Sequence, residues 1–194
     1  AIAKQILRQH KIEIKSFVTQ IGEERSESFS HSKISEILQK IKKQNDTVGA
    51  AMRVEIENLP VGIGDPYFRK LQSGLAQAMF SINALKGFEY GEGFRSASMK
   101  GSECNDVFIR KEDKIRCKTN HSGGIQGGIS NGEKVYFNVA FKPIPTIMQT
   151  QTTVDASGNA VEYNIEGRHD VCVVPRVIPI VEAMTAIVVA DFLV

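Results

Sequence analysis

Met52, Val54 and Ile56 alternate strictly with Arg53, Glu55 and Glu57, and Val135, Phe137, Val139 and Phe141 repeat the same period of two later in the chain. Successive side chains on a strand point to opposite faces, so each segment predicts an antiparallel strand with one buried and one wet face. A sheet of that kind needs a cover for its apolar side. The cover is predicted from helical periodicity: Ile2, Ile6 and Leu7; Ile34, Ile37, Leu38 and Ile41; Phe68, Leu71, Leu75 and Met79; and the apolar run Pro179 to Val194. Ile12 and Ile14 add a strand after the first helix, and Val161 to Ile165 is a third strand candidate after an Asp155 to Asn159 turn. Ser32 is the expected cap of the second helix, and Asp65-Pro66 the start of the third, which should stop near Asn83. The fold class expected is α+β, antiparallel sheets on a helical layer, rather than the alternating βα units of a doubly wound fold.

Charge narrows the function. The 24 Lys and Arg nearly cancel the 22 Asp and Glu, leaving a net +2, too little for a broad field gripping nucleic acid. Lys33, Lys40, Lys42 and Lys43 read as a solvated helix face. Cys104, Cys117 and Cys172 form no Cys-x-x-Cys pair, and the four histidines lack ligand spacing, so neither a disulfide framework nor a metal site is expected. A reducing cytoplasm suits such thiols. Pro179 to Val194 is shorter than the roughly 20 residues of a bilayer span and contains Glu182 and Asp191, which predicts a buried helix and no membrane association. The absence of an initiator Met and the ending inside a helical pattern suggest a piece of a longer chain.

Three loops carry chemistry. Asn120 to Gly132 holds five glycines, and such turns let main-chain amides approach a ligand or simply make a tight connection between strands. It is neither a P-loop nor a dinucleotide fingerprint. Lys142-Pro143-Ile144-Pro145-Thr146 follows directly on a strand, so its prolines either present Lys142 and Thr146 at fixed separation or end an edge strand. Gly167-Arg168-His169-Asp170 sets a guanidinium, an imidazole and a carboxylate together before a helix, as an anion site or as a turn in which Asp170 pairs with Arg168.

Gly167-Arg168-His169-Asp170-Val171-Cys172-Val173-Val174-Pro175-Arg176, running into Pro179-Ile180-Val181-Glu182-Ala183-Met184, resembles the C-terminal signature of chorismate synthases. Pro60 to Pro66, Ser81 to Gly87, Gly101-Ser102-Glu103 with Asn105-Asp106, and Gly128-Ile129-Ser130-Asn131-Gly132 are similar to further motifs of that family, in its order. The resemblance implies a partial β-α-β sandwich of antiparallel sheets around a helical layer, usually assembled as a homotetramer and using reduced FMN. It implies the anti 1,4-elimination of phosphate from 5-enolpyruvylshikimate 3-phosphate to give chorismate, a step of the shikimate pathway towards aromatic amino acids. Residue by residue, it implies flavin contacts at Asn83, Ala84, Gly127, Lys142, Pro143, Ile144, Pro145, Thr146 and Arg168. Arg168 is also implied at the substrate boundary, and Asp170 in handling the flavin N5 proton.

Cys104 stands where that family commonly has His, Val171 where it has Pro, and Ala50 where it has Gly. The family's Gly-Glu-Ser-His segment, its second catalytic histidine and several substrate arginines have no counterpart. The expectation is therefore the C-terminal portion of the catalytic domain, with roughly the first half absent and no full turnover alone. The alternative is a non-catalytic module that binds a phosphorylated ligand.

Overall fold

The computed structural model describes residues 2–165, Gly167 and residues 169–194. Its helices are α1 (Ile2–Gln9), α2 (His31–Lys43), α3 (Leu71–Phe80), the four-residue α4 (Gly101–Cys104) and α5 (Val174–Leu193), with a 3-10 turn over Gly93–Ser98. The strands are β1 (Glu13–Ile21), β2 (Glu24–Arg25), β3 (Ala50–Glu57), β4 (Leu85–Tyr90), β5 (Phe108–Lys111), β6 (Lys114–Cys117), β7 (Ile125–Gln126), β8 (Ile129–Ser130), β9 (Val135–Phe141), β10 (Gln151–Val154) and β11 (Ala160–Tyr163). Five of them form one antiparallel sheet in the order β2-β1-β3-β9-β4, and the others pair as two-stranded ribbons.

The alternating segments are the centre of that sheet. Met52 pairs with Val139, Val54 with Phe137 and Ile56 with Val135, which stacks one apolar face across β3 and β9. Met52, Val54, Ile56, Val135 and Phe137 have no exposed surface at all. On the opposite face Arg53 lies 3.9 Å over the Tyr136 ring, and Glu55 takes ion pairs from Arg53 and Lys134.

The helical layer covers the apolar face. In α5 Val174, Val177, Val181, Thr185, Ala186, Val189 and Ala190 are buried at three- and four-residue spacing, and Thr185 donates its hydroxyl to the Val181 carbonyl at 2.8 Å, so its burial leaves no polar group unpaired. Gly74 lets α3 approach α5: a Cβ there would sit 3.0 Å from the Phe192 ring. Glu182 accepts from Lys4 and from Ser16, both at 2.7 Å, tying α5 to α1 and β1. The class is therefore α+β with antiparallel strands packed on helices. Among the described residues, no helix is long and apolar enough to cross a membrane.

Two helix starts differ from expectation. Ser30, not Ser32, caps α2, accepting the Lys33 amide. The third helix begins at Leu71 rather than at Asp65-Pro66, because Asp65 and Arg69 close a separate turn and Lys70 is extended. Phe68, expected on the core face, is fully exposed. The third strand is shorter than predicted, ending at Tyr163, and its residues are exposed.

Candidate functional site

One end of the sheet gathers most of the predicted positions. β4 and β9 meet there through the Leu85–Phe141 pair. Ahead of β4, Ala84 holds the left-handed conformation, φ 68°, and its carbonyl accepts the Lys142 amide at 3.0 Å. Asn83 and Lys142 are both exposed, and Lys142 has no carboxylate within ion-pair distance among the described residues. The Lys142–Thr146 segment is held from below: Thr47 donates its hydroxyl to the Ile144 carbonyl at 2.6 Å, and Gly49 packs on Pro143, where a Cβ would fall 3.2 Å from the proline ring. The Lys-Pro-Ile-Pro-Thr segment follows directly on the end of β9, with Lys142 exposed and Thr146 half-buried.

The same strut leads to Asp170. Val48 donates to the Val171 carbonyl at 2.9 Å, which sets the start of the 170–176 segment beside the Thr47–Gly49 strut. Asp170 has a partner in Arg176, whose Nη2 donates to Oδ1 at 3.0 Å and whose Nε stands 3.0 Å from Oδ2 in ion-pair contact. That two-point contact orients the carboxylate. Arg168 itself lies outside the described residues. Asp170, His169 and Val171 line a cleft of about 1220 Å³ whose apolar walls include Phe17, Phe29 and Leu38. Cys172 is buried beneath it, and burial pushes its thiol above the ordinary range.

Gly127 stands apart. It forms the β7–β8 turn, whose neighbour Gly128 accepts the Leu71 amide at the start of α3, whereas Asn83 follows the end of that helix. Gly124 packs on Lys134, at the end of β9 opposite Lys142. Seven residues of strand separate the two ends by about 20 Å. The resemblance implies flavin contacts at Gly127 as well as at Asn83, Lys142 and Thr146; within this one chain the loop that carries Gly127 lies towards the end of β9 opposite the Lys142 corner.

The five loop glycines divide by cause. A Cβ on Gly124 would lie 2.6 Å from the Lys134 carbonyl oxygen, on Gly128 2.6 Å from the Lys70 side chain and on Gly132 2.8 Å from Val61, and one on Gly123 would strike the Gly91 main chain. These four are required by the protein's own packing. Gly127, at φ 62° and exposed, has open space where its Cβ would be, so the protein's own packing does not account for it.

A second cluster lies by the glycine loop. Asp106, 8% exposed, accepts from the Thr119 hydroxyl at 2.7 Å and from the His121 and Ser122 amides at 2.8 Å each. Burial alone would raise its pKa, and these bonds outweigh it, leaving the carboxyl below its ordinary value. His121 Nδ1 stands 3.0 Å from Glu92, which also pairs with Arg95; that guanidinium first, and then His121, hold Glu92 below the usual carboxylate range. In the sequence Arg176, Asp106 and His121 fall within motifs that assign them no role of their own. Their partners lie 6, 13 to 16 and 29 positions away, and the last two separations leave no local signal.

Antiparallel sheet and helical layer define an α+β protein with an exposed Lys-Pro-Ile-Pro-Thr corner at one end of the sheet. The match to known proteins is more specific. The family model described as chorismate synthase matches residues 1–194, and the chain belongs to that family. It is 45% identical to the chorismate synthase of Azobacteroides pseudotrichonymphae over 99% of this chain and 60% of that protein. It is 54% identical to that of Methylacidiphilum infernorum over 79% of this chain and 42% of that one. A solved structure titled "Crystal Structure of Chorismate Synthase" superposes with a TM-score of 0.79 at 27% identity, covering 99% of this chain and 60% of the other. The chain thus spans about 60% of the length of such relatives. The expectation of a C-terminal portion lacking the first half is not retained: a 60% share leaves about two fifths, not half, outside the match.

Proposed function

We propose that residues 1–194 form part of the catalytic domain of a cytoplasmic chorismate synthase, which eliminates phosphate and a ring proton from 5-enolpyruvylshikimate 3-phosphate with reduced FMN. The observation that carries this reading is the family match over the whole chain. The corner residues suit the cofactor: an exposed ammonium without a partner among the described residues, next to an exposed amide, fits the polar side chain and phosphate of a flavin nucleotide. Reduced FMN, when bound, supplies the electron that eases phosphate departure.

The chain's own residues bind and orient. Asn83, Ala84 and Lys142 to Thr146 hold the polar arm, Gly127 offers main chain at its own end, and Arg168 is assigned to the flavin and substrate boundary. Asp170, oriented by Arg176, takes part in moving the proton at flavin N5. The distance between the Gly127 end and the Lys142 corner is a reason for the homotetramer, in which one copy's loop can serve another's corner. The three free cysteines suit a reducing cytoplasm. The chain by itself is expected not to turn over.

The test uses the polypeptide extended to the length of its relatives. Lys142→Ala should weaken FMN binding about tenfold or more, the value of a charge-assisted hydrogen bond. Asp170→Ala should lower kcat while FMN affinity holds, since a group used only in the transition state affects rate alone. Unchanged FMN affinity in Lys142→Ala would remove the cofactor assignment. Binding of the phosphorylated substrate without chorismate formation would favour a non-catalytic module.

A further inference from the structure

Residues 143–149 have little of their own to hold them. Pro143 and Pro145 carry no amide hydrogen, so the stretch between β9 and β10 builds no strand ladder. Among the described residues, its hydrogen bonds to the rest of the chain end on residues 44–47, in the connector from α2 to β3. That connector is shaped by the way α2 ends. Asn45 takes the left-handed conformation, φ 56°, which Asn tolerates better than most residues. The Asn45 and Asp46 amides close back on the Lys42 and Ile41 carbonyls at 3.1 and 3.4 Å. The carbonyls of Gln44 and Asn45 have no partner within the helix, and they accept the Gln149 side-chain amide at 3.1 Å and the Met148 main-chain amide at 3.2 Å. Thr47, half-buried, then donates its hydroxyl to the Ile144 carbonyl at 2.6 Å, midway along the chain between Lys142 and Thr146. Gly49 permits the close approach: a Cβ there would lie 2.8 Å from the Phe141 carbonyl oxygen and 3.2 Å from the Pro143 ring. Val48 donates to the Val171 carbonyl at 2.9 Å, one residue from Asp170. The next residue, Ala50, begins β3 in the centre of the sheet, between β1 and β9.

One short connector, anchored in the central strand, therefore touches both segments to which flavin contacts are assigned. We propose, resting on the cofactor reading above, that Thr47 is a positioning residue for the flavin. Through the Ile144 carbonyl it fixes the spacing of Lys142 and Thr146, and through the neighbouring Val48 amide the same connector sets that pair relative to Asp170. Thr47 acts through Ile144 and not on the ligand. Its hydroxyl supplies the donor that the proline-rich segment lacks, and without it the Ile144 carbonyl loses its partner.

The test compares Thr47→Val, of nearly the same shape without the donor, with Thr47→Ser, which keeps it. In the polypeptide extended to the length of its relatives, Thr47→Val should weaken FMN binding about three- to tenfold, the value of one hydrogen bond, and Thr47→Ser should stay within about twofold of the parent. Added to Lys142→Ala, Thr47→Val should weaken FMN by no more than about twofold further, because the two act through one segment. Without FMN, hydrogen exchange of the Met148 amide should be at least about threefold faster in Thr47→Val, while the amides of β3 and β9 keep their protection and show that the variant is folded. Gly49→Ala, which pushes the connector off the head of the segment, should also weaken FMN and serves in place of a Thr47→Val that does not fold. Unchanged FMN affinity in folded Thr47→Val or Gly49→Ala, where Lys142→Ala does weaken it, would overturn the positioning role alone. Equal losses in Thr47→Val and Thr47→Ser, or full additivity with Lys142→Ala, would overturn it as well. No loss in Lys142→Ala would bring down the cofactor reading and the role of Thr47 with it.

Discussion

Replacing Gly124 and Gly127 by Ala tests whether the glycine loop serves packing or a ligand. Both have positive φ, 76° and 62°, so each substitution forces an alanine into the left-handed region at about 1–2 kcal/mol, offset by up to about 1 kcal/mol from a stiffer unfolded chain. There the likeness ends. At Gly124 the new methyl would sit 2.6 Å from the Lys134 carbonyl oxygen and 2.9 Å from the Val135 Cα, atoms of a central strand that cannot retreat without disturbing the sheet. Overpacking of that kind adds about 1–3 kcal/mol. At Gly127 the methyl meets nothing. Gly124→Ala should therefore lose about 2–4 kcal/mol and Gly127→Ala about 1 kcal/mol in urea unfolding, with unchanged m-values. For a chain of this size the difference is roughly 2–12 °C in Tm. Gly127→Asn, which tolerates the left-handed region, should be nearly neutral for stability, and in the full-length polypeptide it should still weaken FMN if the exposed main chain touches the cofactor. Equal destabilisation by the two alanines would refute the division of the loop into packing and ligand-facing glycines.

Asp106 should make acid stability depend on one buried carboxyl. Its folded pKa lies below the unfolded value of about 3.9, so its contribution is fully present above that value and is lost as pH falls through the folded pKa. Asp106→Asn should cost about 1–3 kcal/mol at neutral pH by unpairing Thr119, His121 or Ser122, and should flatten the acid limb of a stability–pH curve below about pH 4; an unchanged limb would count against it. In the core, Phe137→Ala should cost about 3–5 kcal/mol while Phe68→Ala, fully exposed, should change stability by no more than about 0.5 kcal/mol; a comparable loss at both positions in urea melts would contradict the placement of the two rings.

The parts of the fold legible in the sequence were those where burial repeats with a regular period. Met52 to Ile56 and Val135 to Phe141 alternate because one sheet face is covered and the other carries Arg53, Glu55 and Asn138. The failure at Phe68 has the same origin: its spacing continues the Leu71–Leu75–Met79 stripe, yet the chain turns before Lys70, and periodicity cannot see a turn made by main-chain bonds between Asp65 and Arg69. For the site, motifs identified the right segments and left their arrangement open. Ala84 with Lys142 follows from a strand pairing, and the parting of Gly127 from Lys142 follows from the length of β9; neither is written in local composition.

The Asp170–Arg176 pair changes how a role for Asp170 is tested. Arg176 lies six residues from Asp170, and composition alone does not single it out as a partner. Its place in the helix accounts for the pairing. Arg176 falls in the first turn of α5, where a cation is disfavoured by the helix dipole and a carboxylate is favoured, so Asp170 just upstream both offsets the misplaced guanidinium and is oriented by it. The structural control for the role of Asp170 is Arg176→Ala. Because Arg176 is mostly exposed, its removal should cost no more than about 1 kcal/mol of stability. If Asp170 moves a proton, Arg176→Ala should lower kcat through misorientation, and Arg176→Lys, which cannot reproduce the two-point contact, should recover only part of the loss. Equal kcat in Arg176→Ala and the parent would mean that the orientation held by this pair has no part in the chemistry.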